Sequence, residues 1–285
     1  MKIYVNGRFM EKSDASVSVL DHGLLYGDGV FEGIRVYGGR PFKLKEHLVR
    51  LYDSAKAIML KIPLETQQME DAINETLRLN DIRDGYVRLV VTRGQGDLGL
   101  DPKSCPMASV IIIASDIQLY PEQHYENGIE VVTVATRRVP SDCLDPRVKS
   151  LNYLNNVMAK MEAARAGCLE AVMLNTEGYV AECTADNIFV VREGVISTPP
   201  PYHGALDGIT MRTVLDLASL LQIKAGFSPL TRYDLYSAHE CFLTGTGAEI
   251  MPVTSVDGRQ VGNGVPGPLT RKISAAFREM VCAGN

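Results

Sequence analysis

The first part of the chain alternates short apolar and polar stretches with turn residues. Asn6-Gly7 separates Lys2–Val5 from Arg8–Glu11, and this dipeptide favours the positive φ angles of a type I′ turn, so a hairpin is predicted. Apolar residues at spacings of three and four further along predict two helices. The other elements predicted in this part are a hairpin of Ile34–Tyr37 with Pro41–Leu44, helices around 48–58 and 64–79, and strands Tyr86–Thr92 and Ser109–Ala114.

A change of pattern follows these strands. Residues 117–128 turn polar, contain Pro121 and show no periodicity, which is typical of a linker. Strand and helix patterns resume at Ile129 and continue to a last helix predicted over Pro268–Val281. We therefore expect an α/β (α+β) protein with a small N-terminal α/β domain at 1–116, an interdomain linker at 117–128 and a larger C-terminal domain at 129–285.

The composition excludes several classes of protein. The 285 residues are 46% hydrophobic and 22% charged, which favours a packed core over disorder. A formal charge of -5 gives no electrostatic reason to expect a nucleic-acid or anionic-membrane partner. The longest apolar run, Val110–Ala114, is far shorter than the ~20 residues of a membrane span, and the N-terminus lacks the apolar segment of a signal peptide. A cytoplasmic location is therefore predicted.

Cysteine and histidine spacing gives no sign of a metal or redox site. The six cysteines lie too far apart for a C-x-x-C motif, and the five histidines show no spacing typical of metal ligands. A cytosolic chain of this size does not need disulfides. We expect buried, reduced thiols and no bound metal.

One glycine-rich segment imitates a nucleotide-binding motif. Gly94–Gly99 matches G-x-G-x-x-G directly after a predicted strand, but a dinucleotide site also needs a helix N-terminus aimed at the pyrophosphate. Pro102 and Pro106 occupy the segment where that helix would run. The segment before the next strand is also too short for a parallel crossover. A surface loop is the better interpretation.

The strand Tyr86–Thr92 has two unlike faces. Its apolar residues Val87, Leu89 and Val91 alternate with the others, so Tyr86 and Arg88 are predicted to share the opposite face. A tyrosine and an arginine placed in this way can receive a carboxylate. They can equally be an arginine at a subunit or domain seam with a tyrosine packed beside it.

Two further residues could carry chemistry. Lys149 precedes the unusually polar start of a helix, where a partly desolvated amine can act as a nucleophile, although most lysines are simply solvated. Glu182 lies in the apolar strand Tyr179–Thr184, and a carboxylate buried there needs a partner. A protonated ring nitrogen is one such partner. A strand-end residue in water is the alternative.

Two backbone segments could bind a phosphate or another oxyanion. Gly208-Ile209-Thr210 opens a predicted helix, where free N–H groups and the helix dipole favour an anion. Thr244–Gly247 is a turn of hydroxyls and small residues between strands. Arg50 could add positive charge or simply pair with Glu46 on its own helix. Together with an amine and a carboxylate, these are the parts of a pyridoxal phosphate site.

At this point the sequence resembles the branched-chain amino acid aminotransferases of the type IV pyridoxal-phosphate fold. The resemblance covers essentially the whole chain. It is carried by the stretches Tyr26–Arg35, Glu46–Ala55, Lys149–Asn156, Glu182–Phe189 and Gly245–Glu249. It implies a small N-terminal α/β domain and a larger C-terminal α/β pseudo-barrel domain that carries the cofactor lysine.

The resemblance also implies roles for individual residues. Lys149 would be the catalytic residue, binding pyridoxal 5′-phosphate covalently and moving a proton between substrate and cofactor. Glu182 would pair with the pyridine nitrogen, and Tyr153 would hydrogen-bond the phenolic oxygen. The phosphate would be bound by Arg50, Ile209, Thr210 and Thr246. The substrate carboxylate, side chain or distal carboxylate would be contacted by Tyr26, Phe31, Gly33, Arg35, Tyr86, Arg88, Thr246 and Gly247.

Two positions depart from the family pattern, because Gly247 and Met211 stand where the family more often has Ala and Arg. Neither departure removes a catalytic part. The Gly247 change is expected to loosen the carboxylate turn. The Met211 change is expected to weaken the grip on the phosphate slightly.

The activity implied is transamination between branched-chain L-amino acids (Leu, Ile, Val) and 2-oxoglutarate. The enzyme would be a homodimer or higher homo-oligomer, with a neighbouring subunit completing the site through the Gly94–Leu100 stretch. A D-amino-acid aminotransferase or (R)-amine transaminase on the same fold is the alternative, and an aminodeoxychorismate lyase is less favoured. A protein of another class, a catalytically silent binder of a phosphorylated metabolite, would lack the cofactor's visible absorption band.

Overall fold

The computed structural model describes residues 1–116 and 120–283. Within this part of the chain, the strands form two separate sheets, and helices cover them. The chain divides into two compact units. The predicted mixed α/β fold class is confirmed. As far as they are described, the first unit comprises Met1–Gln118, Val148–Asn152 and Val281–Asn285, and the second comprises Leu119–Arg147 and Tyr153–Met280.

The first unit contains a six-stranded antiparallel sheet in the order β2-β1-β6-β5-β3-β4. Its strands are β1 (Lys2–Val5), β2 (Arg8–Glu11), β3 (Gly29–Tyr37), β4 (Arg40–Pro41), β5 (Gly85–Thr92) and β6 (Ser109–Ser115). Its helices are α1 (His22–Tyr26), α2 (Leu44–Ala57) and α3 (Thr66–Leu79), and a 3-10 turn covers Pro102–Ser104.

One face of this sheet and the apolar stripes of α2 and α3 form a single core. Val87, Leu89 and Val91 of β5 are fully buried in it, as the alternation along the strand predicts. On α2, Leu48 and Leu51 are buried while Arg50 lies beside the stripe. The other face of β5 is therefore left for Tyr86 and Arg88.

The second unit contains a nine-stranded mixed sheet in the order β12-β11-β10-β13-β14-β7-β8-β9, with β15 paired to β14. Its strands are β7 (Ile129–Thr133), β8 (Glu170–Leu174), β9 (Val180–Cys183), β10 (Asn187–Arg192), β11 (Val195–Thr198), β12 (Ala225–Phe227), β13 (Glu240–Gly245), β14 (Glu249–Val256) and β15 (Arg259–Gln260). Its helices are α4 (Glu122–Asn127), α5 (Leu154–Arg165), α6 (Ile209–Leu220), α7 (Arg232–Tyr236) and α8 (Pro268–Ala283), the last of which ends in residues grouped with the first unit.

Two local predictions differ from the structure, and two short helices were not predicted. Pro41–Leu44 is not a strand, because β4 ends at Pro41 and α2 begins at Leu44 after Lys43, which adopts a left-handed φ of 53°. The predicted linker contains the helix α4, and its residues 117–119 lie outside the described part. The short helices α1 and α7 were not predicted, because five residues are too few to show helical periodicity.

The compact units also differ from the predicted domain boundaries. Val148–Asn152 belongs with the first unit, although the sequence analysis places it in the domain 129–285. The reason is local pairing, because Val30 and Ser150 form an antiparallel bridge at the edge of β3. The predicted domain boundaries themselves stay a prediction.

The glycine-rich segment Gly94–Gly99 joins strands β5 and β6, which are antiparallel neighbours. The rejection of a dinucleotide site is therefore confirmed, because that site requires a parallel crossover with a helix. All six cysteines are free thiols, but the expectation that they are buried holds for Cys183 and Cys241 only, and it is wrong for the exposed Cys143 and Cys282. Among the described helices, none combines the length and the apolar character that a membrane crossing requires.

Candidate active site

Lys149 lies in an extended segment that pairs with the start of β3. The Phe31 amide donates to the Lys149 carbonyl at 3.0 Å, and the Leu151 amide donates to the Gly29 carbonyl at 2.9 Å. The Lys149 ammonium lies 4.7 Å from the centroid of the Phe31 ring, a cation–π distance. The backbone of a neighbouring strand thus fixes Lys149, which is half-buried and whose amine lies over an aromatic ring.

The predicted substrate residues of β3 and β5 share one face of the sheet. Gly33 is opposite Arg88, and Arg35 is opposite Tyr86, in the register of the two strands. Phe31 lies on the same face because side chains alternate along a strand. The Arg88 guanidinium lies 4.7 Å from the Phe31 ring centroid and 5.4 Å from that of Tyr86. The structure therefore brings these five residues together, with Lys149 beside Phe31.

Gly33 is required by the close approach of Tyr86. A Cβ atom built at Gly33 would lie only 1.8 Å from the Tyr86 hydroxyl oxygen, well inside any allowed contact. The backbone of β3 is therefore the surface on which the Tyr86 hydroxyl rests. A larger residue at this position would displace Tyr86.

Tyr26 connects α1 to the glycine-rich loop. It is the last residue of α1, and its hydroxyl donates to the Leu98 carbonyl. Asp21 caps the N-terminus of this short helix by accepting from the Gly23 amide at 2.7 Å. Leu98 and Leu100 are 71% and 79% exposed, so the loop presents apolar surface to its surroundings.

Arg50 forms a buried ion pair with Glu32. Arg50 Nε donates to Glu32 Oε1 at 2.7 Å, its NH2 group donates to Oε2 at 2.8 Å, and His47 Nδ1 donates to the same Oε2 at 2.7 Å. The alternative partner considered for Arg50, Glu46, pairs instead with Lys43. The guanidinium is therefore fixed in a two-pronged contact, the strong geometry for an arginine–carboxylate pair.

The three groups of this cluster differ in protonation. Burial alone would raise the pKa of Glu32, but the charge and hydrogen bonds of Arg50, together with His47, outweigh it and hold that pKa at about 2. Burial lowers the pKa of His47, which favours the neutral imidazole. Glu32 is thus a carboxylate, and because a carboxylate only accepts hydrogen bonds, the His47 proton lies on Nδ1.

Glu182 is buried in β9 of the second unit and already has a cationic partner. Arg138 NH2 lies 2.7 Å from Glu182 Oε1, and the Leu206 amide donates to Oε2 at 2.9 Å. The alternative that Glu182 is a strand-end residue in water is wrong, because only 5% of the residue is exposed. The expectation that a buried Glu182 needs a partner is confirmed, and Arg138 is such a partner within the protein.

The N-terminus of α6 lies close to this carboxylate network. Gly208 is the N-cap of α6, and no side chain caps the helix, so the first amides of Ile209 and Thr210 are not used by a capping group. Asn187 donates to the Leu206 carbonyl at 2.9 Å, and its oxygen is 2.0 Å from the position that a Cβ at Gly208 would occupy. Residues 206–208 therefore connect Glu182 to the start of α6.

The turn between β13 and β14 carries the remaining predicted oxyanion groups. Thr246 and Gly247 lie between these antiparallel strands, and both are half-buried. The neighbouring Thr244 hydroxyl is buried and, among the described residues, has no hydrogen-bond partner. An unpartnered buried hydroxyl beside this turn is a group that a bound ligand could satisfy.

The structure also places Tyr153 and Met211. Tyr153 is the half-buried N-cap residue of α5, directly after the segment that carries Lys149. Met211 is fully buried in α6 and so contributes to the core. The next residue, Arg212, pairs with Asp207 at 2.7 Å on the surface. No arginine therefore occupies the Met211 position in the first turn of α6.

Comparison with known proteins identifies the family. The model of the family described as amino-transferase class IV matches residues 29–256. A Methanocaldococcus jannaschii protein, provisionally named a branched-chain-amino-acid aminotransferase, is 53% identical over 280 residues, covering 98% of this chain and 96% of that protein. The chain belongs to the class IV aminotransferase family.

Two further proteins show the range of this family. D-alanine aminotransferase of Bacillus licheniformis is 37% identical over 287 residues, covering 99% of this chain and 97% of that enzyme. The T.th. branched-chain amino acid aminotransferase has been solved with pyridoxamine 5′-phosphate (TM-score 0.95, 38% identity) and with N-(5′-phosphopyridoxyl)-L-glutamate (TM-score 0.93, 37% identity). Each of these two matches covers 100% of this chain and 95% of the solved chain.

In this class IV aminotransferase, the predicted residues fall into two sets. The first unit holds Lys149, Arg50 and the sheet face around Phe31, whereas the second holds Glu182 and Thr210. Within the described residues, no group of three or more His, Cys, Asp or Glu side chains could hold a metal ion.

Sequence reasoning missed the residues that support these groups. Glu32 and His47 lie within stretches that carry the family resemblance, yet neither was assigned a role. Arg138 was not considered at all. The only available signal was the cost of burying Glu182 in an apolar strand, which required some partner without saying which.

Proposed function

We propose that this chain is a pyridoxal-phosphate-dependent branched-chain-amino-acid transaminase. It transfers the amino group of L-leucine, L-isoleucine or L-valine to 2-oxoglutarate, giving branched-chain 2-oxo acids and L-glutamate. The observation that carries this proposal is the 53% identity with the M. jannaschii protein over nearly the whole chain. The solved relative with a phosphopyridoxyl-L-glutamate adduct supports both the cofactor and L-glutamate.

The chemistry of the donor groups fits this cofactor. A phosphate suits the uncapped amides at the N-terminus of α6 and the hydroxyls of Thr210 and Thr246. Arg50, fixed by Glu32, supplies the cation for the same phosphate. Glu182 supplies the carboxylate that a protonated pyridine nitrogen needs, and Tyr153 donates to the phenolic oxygen.

Lys149 is the catalytic residue in this proposal. Its amine binds the cofactor and afterwards moves the proton that leaves Cα of the amino acid. When bound, the cofactor acts as an electron sink that makes this Cα proton acidic. The Phe31 ring, 4.7 Å from the amine, helps to fix the position of this side chain.

The sheet face in the first unit is proposed to select the substrate. Tyr86 receives the substrate carboxylate together with Thr246 and the Gly247 amide. Phe31, Gly33, Tyr26 and Arg35 surround the branched side chain, and Arg88 orients Tyr86 or binds the distal carboxylate of 2-oxoglutarate. The support for this assignment is that the strand register places Phe31, Gly33, Arg35, Tyr86 and Arg88 on one face.

A direct assay separates this function from the alternative on the same fold. We expect 2-oxoglutarate-dependent turnover of L-valine to exceed that of D-alanine by at least about tenfold in kcat/KM. Turnover of D-alanine alone would make the protein a D-amino-acid aminotransferase. The Lys149→Ala variant is the control, since it should lose both turnover and the visible absorption band, whereas a silent metabolite binder would have neither to lose.

We also propose that the enzyme is a cytoplasmic homodimer or larger homo-oligomer with a neighbouring subunit completing each site. Helix α5 carries an exposed apolar stripe at helical spacing, formed by Leu154, Val157, Met158 and Met161. The exposed Leu98 and Leu100 of the glycine-rich loop are a second apolar surface. Sedimentation velocity tests the proposal, and a monomer at micromolar concentration would contradict it.

A further inference from the structure

Arg138 makes more contacts than an ion pair alone requires. Besides its NH2 contact with Glu182, its Nε donates to the Gly204 carbonyl at 3.0 Å and its NH1 donates to Asn156 Oδ1 at 2.7 Å. Asn156 in turn donates to the Thr184 carbonyl at 2.7 Å. Three sides of the guanidinium are therefore fixed, and the side chain is 9% exposed.

Stability is a poor explanation for this arrangement. A buried arginine–carboxylate pair loses so much hydration that apolar residues of the same volume are often as stable or more stable. Each end of the pair is nevertheless held by neutral groups, because Leu206 donates to Glu182 while Gly204 and Asn156 accept from Arg138. The contacts hold two charges in one geometry, which indicates a requirement for the charge itself.

We propose that Arg138 is a positioning residue that keeps Glu182 ionised and oriented, so that the proton shared with the cofactor's pyridine nitrogen stays on that nitrogen. The proposal rests on the proposed function, in which Glu182 is the partner of that nitrogen. Without the guanidinium, a carboxylate in this buried strand would be a stronger base. The proton would then leave the nitrogen and bind a Glu182 oxygen, with one N–H bond broken and one O–H bond formed.

The two oxygens of the Glu182 carboxylate have different partners, which supports this role. Oε1 contacts Arg138 and Oε2 accepts from the Leu206 amide. The Glu182 carboxylate therefore cannot rotate without breaking one of these contacts. A carboxylate has about four lone-pair sites and can accept a further hydrogen bond while both contacts persist. Gly204 leaves room for the arginine, because a Cβ there would lie 3.0 Å from Arg138 Cγ and would crowd this side chain.

The test places a ¹⁵N label on the ring nitrogen. Wild-type, Arg138→Met and Arg138→Lys holoenzymes are loaded with ¹⁵N-labelled pyridoxal phosphate, and the nitrogen chemical shift reports whether the nitrogen carries a proton. We expect a protonated shift in the wild type, a shift toward unprotonated pyridine in Arg138→Met, and partial or full recovery in Arg138→Lys, whose ammonium restores the charge. We also expect kcat of Arg138→Met to fall about tenfold to hundredfold, with a smaller change in KM for L-valine.

Arg93→Met is the matched control for loss of a buried arginine. Arg93 is also buried, pairs with Asp28 at 2.9 Å and donates to the Met59 carbonyl, but it belongs to the first unit. Its replacement should destabilise the protein without moving the nitrogen shift. If Arg138→Met does not fold, Arg138→Gln decides the question, because its amide keeps a hydrogen-bond donor beside Glu182 while removing the charge.

The outcomes separate this inference from the function on which it rests. A wild-type protein that binds no labelled cofactor would overturn the proposed function. A holoenzyme whose nitrogen stays protonated both in the wild type and in the folded neutral variant would overturn the role of Arg138 and leave the function intact. A wild-type nitrogen without a proton would overturn the role of Arg138 as well.

Discussion

The pair Arg50–Glu32 lies in the first compact unit and the pair Arg138–Glu182 lies in the second, and in both the charged atoms approach to 2.7 Å. In the first pair the carboxylate is completely buried while the arginine side chain is 13% exposed. In the second pair the side chains are 9% and 7% exposed. The two pairs are thus alike in chemistry and close in burial.

Their proposed functions are opposite. In the first pair the arginine is proposed to bind the cofactor phosphate, and Glu32 holds the arginine in place. In the second pair the glutamate is proposed to contact the pyridine nitrogen, and Arg138 holds the glutamate in place. The geometry of a buried ion pair therefore does not reveal which member acts on a ligand. The charge that the ligand needs decides the role, since a phosphate requires a cation and a pyridinium requires an anion.

The largest expected effect comes from removing Glu182, the residue of the second pair that is proposed to contact the cofactor. Glu182→Ala should lower kcat for L-valine by about 10²- to 10³-fold, because an electrostatic group that stabilises the reacting cofactor is lost. Steady-state kinetics at saturating cofactor measure this effect. A kcat within about threefold of wild type would show that Glu182 is only the structural partner of Arg138.

Removing Arg50, the residue of the first pair that is proposed to contact the cofactor, should weaken cofactor binding instead of lowering kcat. We expect Arg50→Met to weaken cofactor binding by about tenfold to hundredfold, since charge-assisted hydrogen bonds to the phosphate disappear. Titration of the apo-protein with pyridoxal phosphate gives this affinity. Arg88→Met, which alters the substrate face, is the control and should leave cofactor affinity unchanged while raising KM for the amino acid.

The supporting carboxylate of the first pair should make stability depend on pH. Because the pKa of Glu32 falls from 4.5 to about 2 on folding, its contribution to stability is complete above pH 4.5 and is lost as the pH falls toward 2. At pH 3 about 2 kcal/mol of the free energy of unfolding should be lost from this group. Urea unfolding of the apo-protein at pH 3 and pH 6 measures the loss, and Glu32→Gln should show a correspondingly smaller difference between the two pH values.

The smallest of these effects concerns the substrate face alone. Gly33→Ala should displace Tyr86 and raise KM for L-valine about tenfold, while cofactor affinity stays at the wild-type value, because the added Cβ meets the Tyr86 hydroxyl at 1.8 Å. Gly226→Ala is the control, since a Cβ there meets nothing within 4 Å. Equal KM values for both variants would argue against Tyr86 as a substrate ligand.

Local patterns in the sequence predicted much of the sheet face but neither ion pair. Alternation along β5 correctly placed Tyr86 and Arg88 opposite the core, because side chains of a strand alternate wherever the strand lies. The spacing of residues along the helix suggested Glu46 as the ion-pair partner of Arg50, whereas in the structure Glu46 pairs with Lys43 and Arg50 pairs with Glu32. That pairing depends on how α2 packs against β3, which no local pattern contains.

The same limit applies to the segment that carries Lys149. Its polar residues marked it as a candidate, but its bridge to β3 joins residues far apart in the chain. Glu182 needed a partner on energetic grounds, and only the fold shows Arg138 there. Sequence reasoning therefore found the residues proposed to touch the cofactor, and the structure was needed for the residues that hold them.

The attachment of the cofactor to Lys149 is the central claim and can be measured directly. The purified holoenzyme is treated with borohydride, digested, and the modified peptide is identified by mass spectrometry. The account predicts a phosphopyridoxyl group on the peptide containing Lys149. Modification of another lysine, or of none, would contradict it.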